Sequence, residues 1–210
     1  MITASGVHIQ KVGGAQGTPT NRDIAIHAGR ICRFGGAVWY TLLPHLVFVG
    51  LLAYRRSRSI PNMLWGFLHD AHEIATMDVP RPFKCDCMRT EQAAIDKRIA
   101  EKFWLTRGID LFLIKQCDED ACDIEAMALN IRNYEEVGRD GSPVHKNKED
   151  EFLFRRIISK GWNGVDTVFG ENYWAVREFT AVLQDAEFQD HAAVMSRVRK
   201  WGLLNAEDLK

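Results

Sequence analysis

The sequence predicts an all-α protein, and three observations lead to that reading. Apolar residues return every three or four positions along most of the chain. No run alternates apolar and polar residues for long enough to make a strand. Helix-start and helix-stop residues punctuate the segments, with Thr20, Asn21 and Pro61 at starts and the Gly35-Gly36 and Asp78 to Pro82 segments at stops. The length of 210 residues suits one domain with a full core.

The elements follow in order. Residues 1–20 are expected as an N-terminal extension, and residues 21–210 as a single domain with a core over about 21–133 and further helices over about 147–205. Thr20 or Asn21 can cap a first helix, RDIAIHAGRIC, expected to run on until Gly35-Gly36 breaks it. An apolar helix follows from about Val38 to Arg56. Pro61 suits the first turn of a helix reading PNMLWGFLHDAHEIA, and the prolines at 80 and 82 end it. MRTEQAAIDKRIAEKFWL and IDLFLIKQCDEDACDIEAMALNI are two more amphipathic helices. NYEEVGRDGSPVHKNKED reads as an exposed loop, and two or three helices separated by GWNG and QDAEFQD complete the chain.

Composition narrows the classes of function. Lys+Arg 27 against Asp+Glu 28 gives a net charge of -1, which supplies no electrostatic reason for a duplex nucleic acid or an anionic membrane as partner. A small ligand is the default. Five cysteines without even spacing fit reduced thiols in a cytoplasmic protein better than a disulfide framework. CDC and CDEDAC lack the spacing of zinc ligands, so Cys117 and Cys122 read as apolar packing residues. MITASGVHIQKVGG has no apolar centre, so no signal peptide is expected. AVWYTLLPHLVFVGLLAY approaches the length of a membrane span, but Pro44 and His45 in its middle favour a buried core helix.

The chemistry concentrates in LHDAHEIATMDVPRPFK, residues 68–84, which crowds His69, Asp70, His72, Glu73 and Asp78 onto the end of an apolar helix. A solvated helix end would explain the charge without any function. Two distant residues favour more. Asp118 shares a helical stripe with Leu111, Ile114, Ala121 and Cys122, so it should point inward while Glu119, Asp120 and Asp123 point outward. His45 lies among Thr41, Leu42, Phe48, Val49 and Leu52, also at helical spacing. An inward carboxylate must be paired, hydrogen-bonded or bound to a cation. His45, His69, Asp70 and Asp118 together form a mixed N/O set suited to a divalent ion such as Co, Mn, Ni, Zn, Fe or Mg. His72 reads equally as a solvent-facing helix residue or as part of the pocket.

That set and order, H, HD, D, resembles the HD-domain phosphohydrolases. DIAIHAGRICRFGG, YTLLPH, LHDAHE, DVPRPFK and KQCDEDACDIE each resemble segments of the phage nucleotide-cleaving branch, over residues 21–130. The resemblance implies an HD-domain helical bundle with additional C-terminal helices. It makes His45, His69, Asp70 and Asp118 metal ligands, and places Glu73 and Asp78 where family members activate water and steady the scissile phosphate. It matches Arg33 and Lys84 to phosphate-holding residues, and Phe34 to an aromatic, often tryptophan, that lies against the sugar. The implied activity is hydrolysis of deoxynucleotides, in its sharpest form dATP to deoxyadenosine and triphosphate. A 5'-nucleotidase acting on deoxynucleoside monophosphates fits the same residues, and a catalytically silent nucleotide-binding protein is the third reading. The implied location is the cytoplasm, that of the host if the chain is phage-encoded. Residues after about 134 have no counterpart in the resemblance. Completing the pocket, forming a homo-oligomer contact and closing the core all stay open for them.

Overall fold

A computed structural model describes residues 17–131, 147–163 and 173–209, except the side chains of Arg81, Tyr173 and Leu209. Most of the expected N-terminal extension, and residues 133–146 of the expected polar loop, lie outside the described residues, while the last three residues of that loop, Lys148 to Asp150, open a helix instead.

The described residues form helices α1 (Asn21–Ala28), α2 (Leu42–Ser57), α3 (Ile60–Leu68), α4 (Glu73–Thr76), α5 (Asp86–Lys102), α6 (Leu111–Ala128), α7 (Lys148–Ser159), α8 (Tyr173–Glu187) and α9 (His191–Lys200), and no strand. The all-α expectation holds. Among the described residues no helix is long and apolar enough to cross a membrane.

Local chemistry sets the helix starts. Thr20 and Asp23 form a capping box on α1, each side chain taking a backbone N–H of the other. Ser59 caps α3, with Pro61 in its first turn. Asp110, Asn147 and Asp190 cap α6, α7 and α9.

Three boundaries depart from the sequence reading. α1 stops at Ala28, well before Gly35-Gly36, because the chain turns at Gly29 and pairs with the segment before α2: Leu42 donates to Ile31 at 2.9 Å and Arg33 to Tyr40 at 2.8 Å. Gly35 and Gly36 form the 3-10 turn joining those two segments, with φ of 61° and 77°, values that suit residues without a Cβ. α2 therefore begins at Leu42 and not Val38. The third departure is that PNMLWGFLHDAHEIA is two helices, α3 and α4, joined by a turn at His69 to His72. In addition, α8 runs to Glu187, so QDAEFQD belongs partly to a helix.

α2 is the centre of the molecule: every residue from Leu42 to Tyr54 is buried, and α1, α3, α6 and α7 pack around it. It meets α3 at unusually short range, since a Cβ on Gly66 would lie 2.6 Å from the Cα of Gly50. Two glycines facing each other let the backbones close in, which fixes the relative positions of His45 and His69 further along the two helices. The C-terminal third closes the core. Phe154 of α7 packs on Tyr40 and Phe48, while Phe179 of α8 and Trp201 pack on Phe67 with ring centroids 5.8 and 5.9 Å away. Of the roles left open for this region, closing the core is the one its described residues display.

Two readings of individual residues need correction. Leu111, placed on the inward stripe of α6, is exposed, because it sits in the first turn, where α6 has no covering neighbour. The cysteines are not all thiols: Cys85 and Cys87 are joined as a disulfide, while Cys117 and Cys122 are buried without one.

Candidate metal centre

Four side chains from two helices and one turn converge near the N-terminal end of α2. His45 comes from α2, His69 and Asp70 from the turn closing α3, and Asp118 from the centre of α6. One ligand atom from each lies within 4.8 Å of all the others. The His45 and His69 Nε2 atoms are 3.3 Å apart. Asp118 Oδ1 is 3.3 Å from His45 Nε2, and Asp70 Oδ2 is 3.3 Å from His69 Nε2.

The far side of each imidazole explains which nitrogen faces inward. His45 Nδ1 lies 2.8 Å from Glu125 Oε1, and His69 Nδ1 lies 2.9 Å from the Gly66 carbonyl. Neither partner can donate, so each Nδ1 carries the hydrogen and donates it. In the neutral rings both Nε2 lone pairs then point at one another and at two carboxylates. That arrangement is repulsive unless a positive charge sits among the four. Without an ion, a proton takes that place: burial lowers the His69 pKa, but Asp70 and Asp118 outweigh it and hold the imidazole well above its ordinary value. The same contacts keep Asp70 and Asp118 well below the usual carboxylate range although both are half-buried. Two imidazole nitrogens and two carboxylates, oriented from behind by hydrogen bonds, fit a divalent first-row cation.

Glu125 is the functional residue whose role the sequence reading missed. It is fully buried, accepts the Tyr40 hydroxyl at 2.9 Å and the His45 Nδ1–H, and lies 3.6 Å from Arg33 Nε. Burial and Glu125 together push the Tyr40 pKa well up, which keeps it a donor. The available signal was spacing: Glu125 follows Asp118 by two helical turns and so shares its face.

The remaining candidates take varied positions. Arg33 is buried beside the quartet, with Nη1 3.5 Å from Asp70 and Nη2 donating to Cys122 Sγ at 3.0 Å. Burial opposes its charge, but Cys122, Glu125, Asp70 and Asp118 overcome that and keep it firmly cationic. Cys122 is thus more than the packing residue expected. Phe34 is half-buried beside Arg33, its ring 6.3 Å from that of Tyr40. Lys84 Nζ stands 3.8 Å from Glu73 Oε1. Glu73 is buried, and its Oε2 has no hydrogen-bond partner. Burial first, then Asp70 and Asp78, push its carboxyl up to about 9 against the pull of Arg33 and Lys84. Asp78 is partly exposed and reaches the site through that charge effect.

His72 meets neither expectation fully. It is buried, not solvent-facing, and its Nδ1 lies 2.9 Å from Asp96 Oδ1 on α5. Asp118 points inward as expected, while Asp120 pairs with Arg56 at 2.7 Å and Glu119 with Lys115 at 3.8 Å. No protein-family model matches the chain, and no curated protein matches it.

Proposed function

We propose that this chain is a metal-dependent phosphohydrolase of the HD-domain kind, acting on deoxynucleotides. The observation carrying the reading is the quartet: residues far apart in sequence, in the order H, HD, D, bring four ligand atoms within 4.8 Å of one another. A divalent ion held there supplies Lewis acidity and a water of lowered pKa.

The chain's own residues account for the rest. Glu73 takes the proton of the attacking water. A carboxyl raised to about 9 with Arg33 and Lys84 already pulling it down retains a proton once it has one, and a divalent ion at the quartet would bring it toward the range where a base works near neutrality. Lys84, half-buried at the rim, holds substrate phosphate as a point charge. Arg33 fixes Asp70 and Glu125, and adds positive charge beneath the phosphate. Water bonds to phosphorus, the bond from phosphorus to the sugar 5'-oxygen breaks, and that oxygen leaves with a proton. In the sharpest form the substrate is dATP and the products are deoxyadenosine and triphosphate.

One observation favours the 5'-nucleotidase as a second reading. Each guanidinium nitrogen of Arg33 already faces Asp70, Glu125 or Cys122, which leaves Lys84 as the better exposed cation and suits one phosphate more than three.

The test is to incubate the four dNTPs and four dNMPs separately with Mn, Co or Mg and to identify the released phosphate. Triphosphate released mainly from dATP supports the sharp form. Orthophosphate from dNMPs, with dNTPs spared, selects the nucleotidase, and no turnover in any pairing refutes the hydrolase. Glu73→Gln should keep the quartet's ion and lower turnover by about 10²–10⁴-fold; wild-type turnover would remove Glu73 from the chemistry.

A further inference from the structure

We propose that the Cys85–Cys87 disulfide is a reversible thiol-exchange site, open to low-molecular-weight or protein thiols, that fixes Lys84 at the rim of the metal centre while the bond is closed. The inference rests on the proposed function only for what Lys84 holds, a substrate phosphate.

The bond has little to do as a framework. It joins cysteines two apart in sequence, and a cross-link constrains the unfolded chain less the shorter the loop it closes. Packing holds little of its surroundings either, because Pro82, Phe83, Cys85, Asp86 and Cys87 are exposed and only Lys84 among residues 82–87 is half-buried. Such a segment opens locally at small cost. The exposed pair is within reach of an attacking thiol, whereas Cys117 and Cys122 are buried and Cys32 is half-buried. Burial pushes the Cys117 thiol up to about 11, so it does not compete.

Position gives the bond its effect. Cys85 is the residue before α5, and Cys87 is the second residue within it. α1, α3, α6, α7 and α9 each start on a side chain that accepts a first-turn N–H, and α5 does not. The disulfide stands in for that cap by tying the extended backbone of Cys85 to the first turn. Lys84 is the next residue outward, its side chain 14 % exposed and its Nζ 3.8 Å from Glu73 Oε1. Deeper in α5, Gln92 Nε2 donates to Thr76 Oγ1 at 3.0 Å and Asp96 accepts the His72 Nδ1–H at 2.9 Å. α5 is therefore anchored on α4 from Gln92 onward, and opening the bond releases its first turn and Lys84 without unseating α4.

The chemistry is thiol–disulfide exchange. A thiolate attacks one sulfur, the Cys85–Cys87 bond breaks, and the other sulfur leaves as a thiolate and takes a proton. A second thiol then attacks the mixed disulfide, so the chain gains two electrons and two protons while the two thiols depart joined as their own disulfide.

The experiment equilibrates the full-length chain in glutathione buffers from wholly oxidised to wholly reduced, then counts thiols by alkylation after denaturation and mass spectrometry. Three thiols should appear at the oxidised end and five at the reduced end, reversibly. In the same samples an N-hydroxysuccinimide ester acylates native lysines, mapped by peptide, and Lys84 should react about three- to tenfold faster after reduction, on the scale of one lost helix cap. Exposed Lys115 on α6 should keep its rate. Cys85→Ala with Cys87→Ala should show the fast Lys84 rate in every buffer, and Cys85→Ser with Cys87→Ala, which returns a capping hydroxyl, should restore the slow one. A pair that stays closed in wholly reduced glutathione overturns the proposal, as does one that opens with no change at Lys84 or yields five thiols in every buffer. Inorganic phosphate with Mn(II) should protect Lys84 in the oxidised chain. A Lys84 rate that follows the redox state without that protection leaves the switch standing and refutes Lys84 as the phosphate holder.

Discussion

Helix α2 carries a cluster of charged residues at each end, and the two are built on opposite terms. At its C-terminus Arg55 reaches Glu149, Asp150 and Asp208 at 2.9–3.1 Å, while Arg56 reaches Asp120 at 2.7 Å and Asp150 at 2.9 Å. None of these six residues has a buried side-chain atom without a partner. At the other end, around His45, His72 Nε2 and Glu73 Oε2 are buried without a hydrogen-bond partner, while Arg33 Nε and Glu125 Oε2, also without a hydrogen bond, face each other at 3.6 Å. The first cluster closes on itself and ties α7 and the C-terminal segment to α2. The second leaves buried acceptors unmet, and without an ion its carboxylates hold a proton on His69. A buried polar network left partly unsatisfied is destabilising, so its presence points to a ligand that completes it. The cavity of about 440 Å³ beside the first cluster, lined by Arg56, Gln116, Glu119, Asp120 and Asn147, lacks that signature because its charges are already paired.

The largest expected effect separates two aspartates on one helix. Asp118→Asn should strip the quartet's ion, from about one equivalent to nearly none, because an amide brings no charge to a four-donor site. Asp120→Asn should leave metal content unchanged and lower stability by about 1 kcal/mol or less, since its partner Arg56 is partly exposed and keeps Asp150. Elemental analysis of both variants beside wild type decides it, and equal metal loss would mean that the two clusters are not distinct.

Next comes the closed cluster itself. Asp150 is buried and receives both arginines, so Asp150→Ala leaves Arg55 and Arg56 short of their shared partner. The expected loss is about 3–5 kcal/mol, a drop in Tm on the order of 10 °C. Metal affinity should stay within about twofold of wild type if the two ends of α2 are independent. A variant that unfolds readily and also binds metal poorly would show that the clusters are coupled through the helix.

How much of this was legible in the sequence differs between the two ends. The all-α class was legible, because helical periodicity needs no tertiary information. His45 and Asp118 were legible as inward residues, because each lies at helical spacing from apolar neighbours. The Arg55 and Arg56 cluster was not: RRSR at the end of an apolar helix looks like a solvated stop, and its partners lie more than 60 residues downstream. Nor was the turn at His69 to His72, since the apolar period runs through it unbroken from Phe67 and Leu68 to Ile74. The glycine pair that closes α2 onto α3 reads in sequence as two weak helix formers, and its use appears only when the helices meet. Glu125 lay on the face already assigned to Asp118, yet spacing alone could not show that it backs His45 rather than joining it.

A smaller effect tests that backing role. Glu125→Gln preserves shape and an acceptor for His45 Nδ1–H, but removes the charge that stands behind both His45 and Arg33. Metal affinity should fall by about 10–100-fold, as for other residues that orient a ligating histidine. Competition against a chelator of known affinity measures this. An unchanged affinity would place Glu125 with the closed kind of cluster, as a purely structural contact.

The smallest effect is a pH slope, and its sign follows from the proton that stands in for the ion. In the ion-free protein His69 is held protonated by Asp70 and Asp118 well above its ordinary pKa, in spite of its burial. A metal binds the neutral imidazole only, so binding must expel that proton. Raising the pH removes the competitor, and affinity should climb by about tenfold per unit until the ion-free His69 pKa is passed, then flatten. The Arg55 and Arg56 cluster contains no histidine and should contribute nothing to this slope. Titrating Mn(II) between pH 5.5 and 8.5, in two buffers of different ionisation enthalpy, reads both the slope and the number of protons released. In Asp118→Asn one of the carboxylates that raises His69 is gone, so the residual slope should flatten at a lower pH than in wild type. Affinity falling as pH rises would mean that the quartet is not where the ion binds.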